Sequence, residues 1–304
     1  MNRLWGYISV IMAMVLFGLS NTFNKILLGN LEPIDLAALS YCIAAVFLFA
    51  VRYSPLKNRL LTLINTGHDV ENFMTRKDYV ILFVTAILGT VIAPLLYLNG
   101  LNRTTAVNAS LLLIVEILFV ILIGIFFLKE HVNKKDSFGF IFIIVGTVFL
   151  ITNGQPENFS ISLDLGSTLI IGAAFFWSID TTLSKFLSYK GDIILITAIK
   201  SAIGGLLLLL ISLSINLTIS LRLENLPYLL FVSVFSIGAA LILIYLSIRI
   251  IGATRTGSLF SLSALFGAVF AFLILKEPFT IMQLLFGLLM LSGVLIFYLN
   301  SEDS

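Results

Sequence analysis

A single carboxylate, Glu116, interrupts the apolar run Leu111 to Phe127, LLLIVEILFVILIGIFF. On an insertion scale a central charge costs about 2.5–3.5 kcal/mol, while each Leu, Ile, Phe or Val favours insertion by about 0.3–0.6. Such a helix therefore accepts the acid and leaves it needing a suitable environment once folded. Burial disfavours the charged form of a carboxyl, which suits a proton carrier or a partner for a substrate amine. A permanently hydrogen-bonded structural carboxyl is the competing reading. At 100° per residue, Thr105, Ala109 and Glu116 lie within about 20° of one line along a helix. That narrow face of small and polar groups is fit to line a cavity.

Asp180 and Lys200 form a second candidate set. Ala173, Trp177, Asp180 and Ser184 share one helical stripe, and Lys200 lies in the next apolar run, with Gly204 one turn on. Buried charges need partners, so Lys200 is the expected charge partner of Asp180. The alternative is that substrate or a proton competes for the acid. Upstream, Ser20, Asn21, Thr22, Asn24 and Lys25 are too polar a group to face lipid on all sides. Asn21 and Asn24 could hydrogen-bond a zwitterion or hold helices together, and Lys25 is expected to reach the headgroups by snorkelling. Pro94, between Gly89 and Tyr97, removes a helical hydrogen bond and is a candidate hinge. Tyr97, Trp177, Tyr245 and Ser263 are candidate cavity-lining residues, and Trp177 and Tyr245 could stack on an apolar or cationic group.

The elements that must position these residues follow from composition. Of 304 residues, 59% are hydrophobic and 11% charged, against about 25% charged in a soluble domain. Long apolar runs recur along the chain, many near the roughly 20 residues that cross a bilayer as helix. This is the signature of an all-α polytopic membrane protein. A net charge of +2 gives no basic excess for nucleic acid. The single cysteine, Cys42, rules out an internal disulfide or a multi-cysteine metal site. His68 and His131 stand far apart with no ligand spacing around them. No HExxH, GxSxG or P-loop is present, so neither an enzyme nor a nucleotide-driven pump is indicated, and no cofactor is implied.

Charges, Pro, Gly and Asn divide the apolar sequence into ten expected spans: 5–28, 34–53, 79–99, 104–128, 137–152, 165–188, 193–216, 226–249, 254–275 and 279–299. The longest connection, 54–78, has room for an interfacial helix near Leu56–Ile64. With the N-terminus inside, thirteen of the eighteen Lys and Arg fall on the cytoplasmic side and four at the outer ends. The positive-inside rule then places both termini in the cytoplasm.

The sequence also repeats. FGLSNTFNK around Phe17 matches WSIDTTLSK around Trp177 at an offset of 160 residues, and FFLKE, ending at Glu130, matches LILKE, ending at Glu277, at an offset of 147. Gly146 and Gly293 keep the second offset. Five spans per half is an odd number, so residues 154–304 sit inverted relative to residues 1–153. Two such halves rocking around a midplane site are a hallmark of secondary transporters. In these features the chain resembles the drug/metabolite transporter superfamily and, within it, the EamA-type exporters. The resemblance implies two inverted five-helix repeats around a central cavity, lined mainly by the first, third, fourth, sixth, eighth and ninth helices. It implies homodimerisation through the fifth and tenth helices, and amino acids, other small metabolites or drugs as substrates. Family members often carry a proline after a helix-four acid or small residue, where this chain has Ile117.

The expected function is alternating-access transport of a small organic metabolite, as export across the cell membrane. Glu116 and Asp180 are the coupling candidates, and a proton is the candidate co-transported partner. The competing classes are a channel-like facilitator and a membrane-embedded lipid-modifying enzyme.

Overall fold

A computed structural model describes residues 3–65, 74–128, 136–152, 164–187, 192–215, 221–251, 256 and 259–300. Among these residues every regular element is helical. In chain order the helices are α1 (Arg3–Leu27), α2 (Pro33–Tyr53), α3 (Leu56–Asn65), α4 (Arg76–Ile87), α5 (Ala93–Arg103), α6 (Ala106–Leu112), α7 (Val115–Leu128), α8 (Asp136–Ile151), α9 (Leu165–Leu187), α10 (Ile193–Ser214), α11 (Leu226–Leu230), α12 (Ala240–Ile251), α13 (Leu262–Phe270) and α14 (Ile281–Asn300). Helix α3 occupies the place where the sequence suggests an interfacial helix. Six helical stretches are long and apolar enough to cross a membrane: Arg3–Leu27, Pro33–Tyr53, Arg76–Arg103, Ala106–Phe127, Ile193–Ser214 and Leu223–Ile248. Shorter apolar helices cover Phe138–Ile151, Leu262–Leu275 and Ile281–Ile296. Helix α9 has 23 residues and carries a polar stretch from Ser178 to Ser184.

The helices pair across the middle of the chain. The most extensive packing joins α2 to α10, α8 to α14, α5 to α9, and α1 to both α12 and α13. In each pair one helix comes from before residue 153 and the other from after it. Gly146 and Gly293, singled out by their common offset, both lie in the α8–α14 interface: Gly146 backs onto Met290 and Gly293 onto the Gly139 carbonyl. The largest apolar cluster runs from Leu27 and Leu36 through Leu101, Leu111 and Ile143 to Met290, and Val10, Ala13 and Met14 of α1 form a separate one with Ala240, Ile244 and Ile251 of α12.

Several spans depart from α-helical geometry inside this packing. A π-helical segment, Leu88–Ile92, joins α4 to α5, and Pro94 follows it at the start of α5. Another, Phe231–Ala239, joins α11 to α12, and a third, Ala271–Leu275, extends α13. Adding the 147-residue offset to 88–92 gives 235–239, inside the second segment.

The run around Glu116 is broken as well. Helix α6 ends at Leu112, and the chain passes Leu113 and Ile114 before α7 begins. Across the break the amides of Ile114, Glu116 and Ile117 bond three residues back, to Leu111, Leu113 and Ile114. No proline is needed for this. The break also interrupts the straight line that would put Thr105, Ala109 and Glu116 on one face, and Thr105 instead caps α6 by accepting from the Asn108 amide.

Candidate functional site

Polar groups meet where α1, α5, α6, α9 and α10 converge. Asn21 of α1 is buried and spans two neighbours. Its carbonyl oxygen accepts from the Tyr97 hydroxyl of α5 at 2.7 Å, and its amide nitrogen donates to Ser110 Oγ of α6 at 3.1 Å. A buried amide left unpaired is costly, so this chain of bonds sets the spacing of three helices. Gly267 brings α13 against the same point, since a Cβ there would overlap Ser110. Tyr97 also meets Trp177 of α9, with ring centroids 5.4 Å apart and planes inclined by 49°. The Trp177 indole nitrogen donates to the Gly89 carbonyl at 3.1 Å. That carbonyl belongs to the π-helical segment.

Asp180 and Lys200 are brought together, 2.5 Å apart, with their side chains 16% and 14% exposed. Ser184 closes the set by donating to Asp180 Oδ1 at 2.9 Å and accepting from Lys200 Nζ at 3.0 Å. Gly89 makes room for it, because a Cβ at that position would overlap the Asp180 carboxylate. Thr90 ties the segment to α10 by donating to the Lys200 carbonyl at 3.2 Å. Tyr41 of α2 and Tyr245 of α12 both lie within reach of the Asp180 charge, and Tyr245 is hydrogen-bonded to Thr197. A neutral, internally bonded unit results.

Glu116 lies within reach of the Asp180 charge but bonds to a different residue. Its Oε1 accepts from the Thr181 hydroxyl of α9 at 3.1 Å, and no described cation pairs with it. Thr181 is exposed, and its position on the helix shows to what. At 100° per residue, Thr181, Ser184 and Asp180 lie about 40°, 20° and 60° from Trp177, whereas Phe175 and Phe186 lie about 160–180° away. Those phenylalanines, 41% and 46% exposed, form the outward face. Thr181 therefore lies on the Trp177 side of α9, where partly exposed Glu116 meets it.

The other candidates take different places. Asn24 is buried one turn beyond Asn21 and, among the described residues, makes no hydrogen bond to this cluster. Ser263 donates to the Phe260 carbonyl, just before its own helix. Lys25 does not extend past the helix end. It donates to the carbonyls of Leu101 and Thr104 at 2.6 and 2.7 Å, because the end of α5 leaves carbonyls without helical partners. His68, His131, Lys129, Glu130, Ser258 and the Lys185 side chain lie outside the described residues. Sequence reasoning missed Thr181, Ser110 and Tyr41 as participants. Thr181 was within reach, since it shares the Trp177–Asp180 stripe; Ser110 and Tyr41 depend on how other helices dock.

An all-helical chain whose apolar spans enclose such a polar layer is a multi-pass integral membrane protein. It belongs to the EamA-like transporter family, which matches residues 4–152 and again 164–299. The chain is 52% identical over 303 residues to an uncharacterized transporter of Methanothermobacter thermautotrophicus, covering 99% of this chain and 88% of the relative. It is 26% identical over 285 residues to an uncharacterized transporter of Archaeoglobus fulgidus, covering 93% of each. With the uncharacterized transporter YyaM of Bacillus subtilis it shares 25% over 282 residues, 90% of this chain and 88% of the relative. A crystal structure superposes with a TM-score of 0.69 at 14% identity, covering 99% of each chain, which establishes a shared fold. The protein is a membrane transporter and not an enzyme.

Proposed function

We propose that the protein is a secondary transporter that moves small organic metabolites out of the cytoplasm by alternating access. The substrate class suggested by the lining groups is amino acids or related amines, with drugs as further candidates. In this reading, ten spans form two inverted five-helix halves, 1–153 and 154–304, and both termini are cytoplasmic. The observation that carries it is the polar layer inside the bundle, where Asn21, Tyr97 and Glu116 of the first half meet Trp177, Thr181 and Asp180 of the second. A cleft between two halves is where a carrier needs its site.

The distorted helices support the same reading. The Ile117 amide bonds to the Ile114 carbonyl at 3.1 Å, and the Ala264 amide to the Ser261 carbonyl at 3.2 Å. The two bonds are related by the 147-residue offset. Irregular backbone inside a membrane is tolerated where it is buried in protein or lines a cavity. Paired irregularities at matching places give both halves a point at which to bend, with Pro94 as a further hinge. Asn24, Tyr245 and Ser263 would complete the lining as the halves move.

Trapped-substrate counterflow in liposomes tests this function. A carrier accelerates uptake of labelled substrate against trapped unlabelled substrate, while a channel-like facilitator gives no trans-acceleration. Its absence across amino acids and amines that nonetheless permeate would sink alternating access.

A further inference from the structure

One end of the molecule presents basic side chains whose described acidic neighbours are already engaged. Helix α3 contains Lys57 and Arg59 and no acid, and α4 opens with Arg76 and Lys77. Both segments flank the start of α10. Leu60 of α3 joins the apolar cluster of Leu48, Ile193 and Ile194, and Met74 and Ile81 join the one formed by Leu82, Leu187 and Ile196. Between them Asp192 accepts from Arg52 and caps α10 by accepting from the Leu195 amide. Asp78 is 8% exposed and shares a capping box with Thr75. Arg76 and Lys77 are exposed and Lys57 is half-buried, so the surface offered here is basic. Asp69 and Glu71, in the stretch that joins α3 to α4, lie outside the described residues. Even with both ionised, Lys57, Arg59, Arg76 and Lys77 leave residues 54–77 with two positive charges in excess.

The same end has the marks of a headgroup layer. The ten residues of α3 extend about 15 Å, half of what a membrane span needs. Leu60 packs on the bundle, while Leu56, one turn earlier, is 54% exposed. Tyr53 at the end of α2 and Tyr79 in the first turn of α4 are 78% and 58% exposed, and tyrosines gather at membrane–water interfaces. Lysine and arginine stems lie along apolar surface and extend their charges to the headgroups. Basic groups set beside exposed apolar ones suit a lipid whose headgroup is negative. A zwitterionic lipid brings no net charge to them, and a free phosphate brings nothing for Leu56, Tyr53 and Tyr79.

We infer that α3 and the first turn of α4 form a docking surface for anionic lipid headgroups, and that bound headgroups brace the junction of α2 with α12. Helix α3 packs on both of those helices, which lie on opposite sides of residue 153 in the chain, so a lipid held on α3 steadies both. The inference holds whichever solute the protein carries and whichever way it crosses the membrane.

The test uses the full chain in nanodiscs of phosphatidylcholine alone and of phosphatidylcholine mixed with phosphatidylglycerol. Amide hydrogen exchange across Leu56–Asn65 is expected to slow severalfold in the anionic discs, and the thermal midpoint to rise by several degrees. Both effects should shrink as salt is raised, because exposed charges are screened. K57Q/R76Q/K77Q is expected to match the parent in neutral discs, which shows that it is folded, and to lose most of the response to phosphatidylglycerol. The salt dependence of the parent decides the matter if that variant does not fold.

Equal exchange and equal midpoints in the two kinds of disc overturn the inference. So does a triple variant that keeps the full response, or a parent response that salt leaves unchanged. Equal protection in neutral discs by added glycerol phosphate would make the surface a soluble-anion site, and equal protection by polyglutamate would give it to an acidic protein; either result overturns the lipid assignment. Slowed exchange without a rise in midpoint would overturn the bracing of α2 and α12 alone.

Discussion

Gly89 is the residue whose role is easiest to overlook, because it makes no hydrogen bond through a side chain. Its bare Cα is what allows the Asp180 carboxylate to pack against the π-helical segment, and its carbonyl holds Trp177. G89A therefore pushes directly on the Asp180–Lys200 pair. Overpacking of this kind costs about 1–3 kcal/mol, and a thermal midpoint several degrees below the parent in detergent is the expected result. An unchanged midpoint with unchanged transport would show that the contact is loose. The pair itself is open to a double-mutant comparison. D180N leaves Lys200 as an uncompensated buried cation, a loss of about 3–5 kcal/mol for a broken buried pair. The lower end is expected because both side chains keep some exposure. Removing the cation as well, in D180N/K200M, should return most of that stability. A double variant no more stable than D180N would mean that Lys200 already finds water.

At the scale of elements, the corner between α5 and α6 is held by two opposite charges. Lys25 covers the carbonyl end of α5, and Glu277 accepts from the Ala106 and Val107 amides at 3.0 Å each, covering the amide end of α6. Gln283 adds a bond to Asn108 at 2.7 Å. The matching signs are what helix termini favour. Replacing a capping acceptor costs about 0.5–2 kcal/mol, so E277A should destabilise by that much and E277Q by less, since the amide oxygen still accepts one bond. Equal losses for the two variants would assign the effect to the carboxylate itself, its charge and paired oxygens, and not to side-chain packing. Glu277 ends the LILKE stretch, and its repeat partner Glu130 ends FFLKE; the repeated glutamate thus gains a physical role in the half where it is described. Lys276, beside it, has a left-handed backbone with φ of 57°, which turns the chain from the end of the π-helical segment towards that corner.

For the whole molecule, the sequence made helical spans legible because apolar runs and their charged borders are read one segment at a time. Membrane character and the places of the helices, α3 among them, follow from such local patterns. The α5–α6 corner was not legible, since Lys25 and Glu277 act through backbone groups that any residue supplies. The break at Leu113–Ile114 escaped for a similar reason: no proline or glycine marks it, and tertiary packing sets it. Among the site residues, Asp180 and Lys200 could be paired from their charges alone, while the Asn21–Tyr97–Ser110 chain required three helices to be docked. Orientation remains a matter of charge bias and is tested by single cysteines on a Cys42→Ser background. Cysteines replacing Asn2 and Ser304 should react with an impermeant maleimide only after cells are opened, and one replacing Asn102 should react in intact cells. The reverse pattern would overturn the cytoplasmic placement of both termini. The halves also differ in charge. By the 160-residue offset Asp180 and Lys200 correspond to Ser20 and Ser40, so the charge pair stands on one side of the sequence repeat alone.

The Glu277 contact has a further consequence, in the order of synthesis. The amides of Ala106 and Val107 leave the ribosome 171 and 170 residues before the carboxylate that completes them. At about 5–20 residues per second, that is a wait of roughly 10–30 s during which these two amides lack the acceptor that Glu277 supplies. Water, lipid headgroups or the insertion machinery must satisfy those amides until the second half arrives. A fragment ending at residue 153 is therefore expected to be degraded when expressed alone and to persist when the fragment from 154 onwards is made beside it.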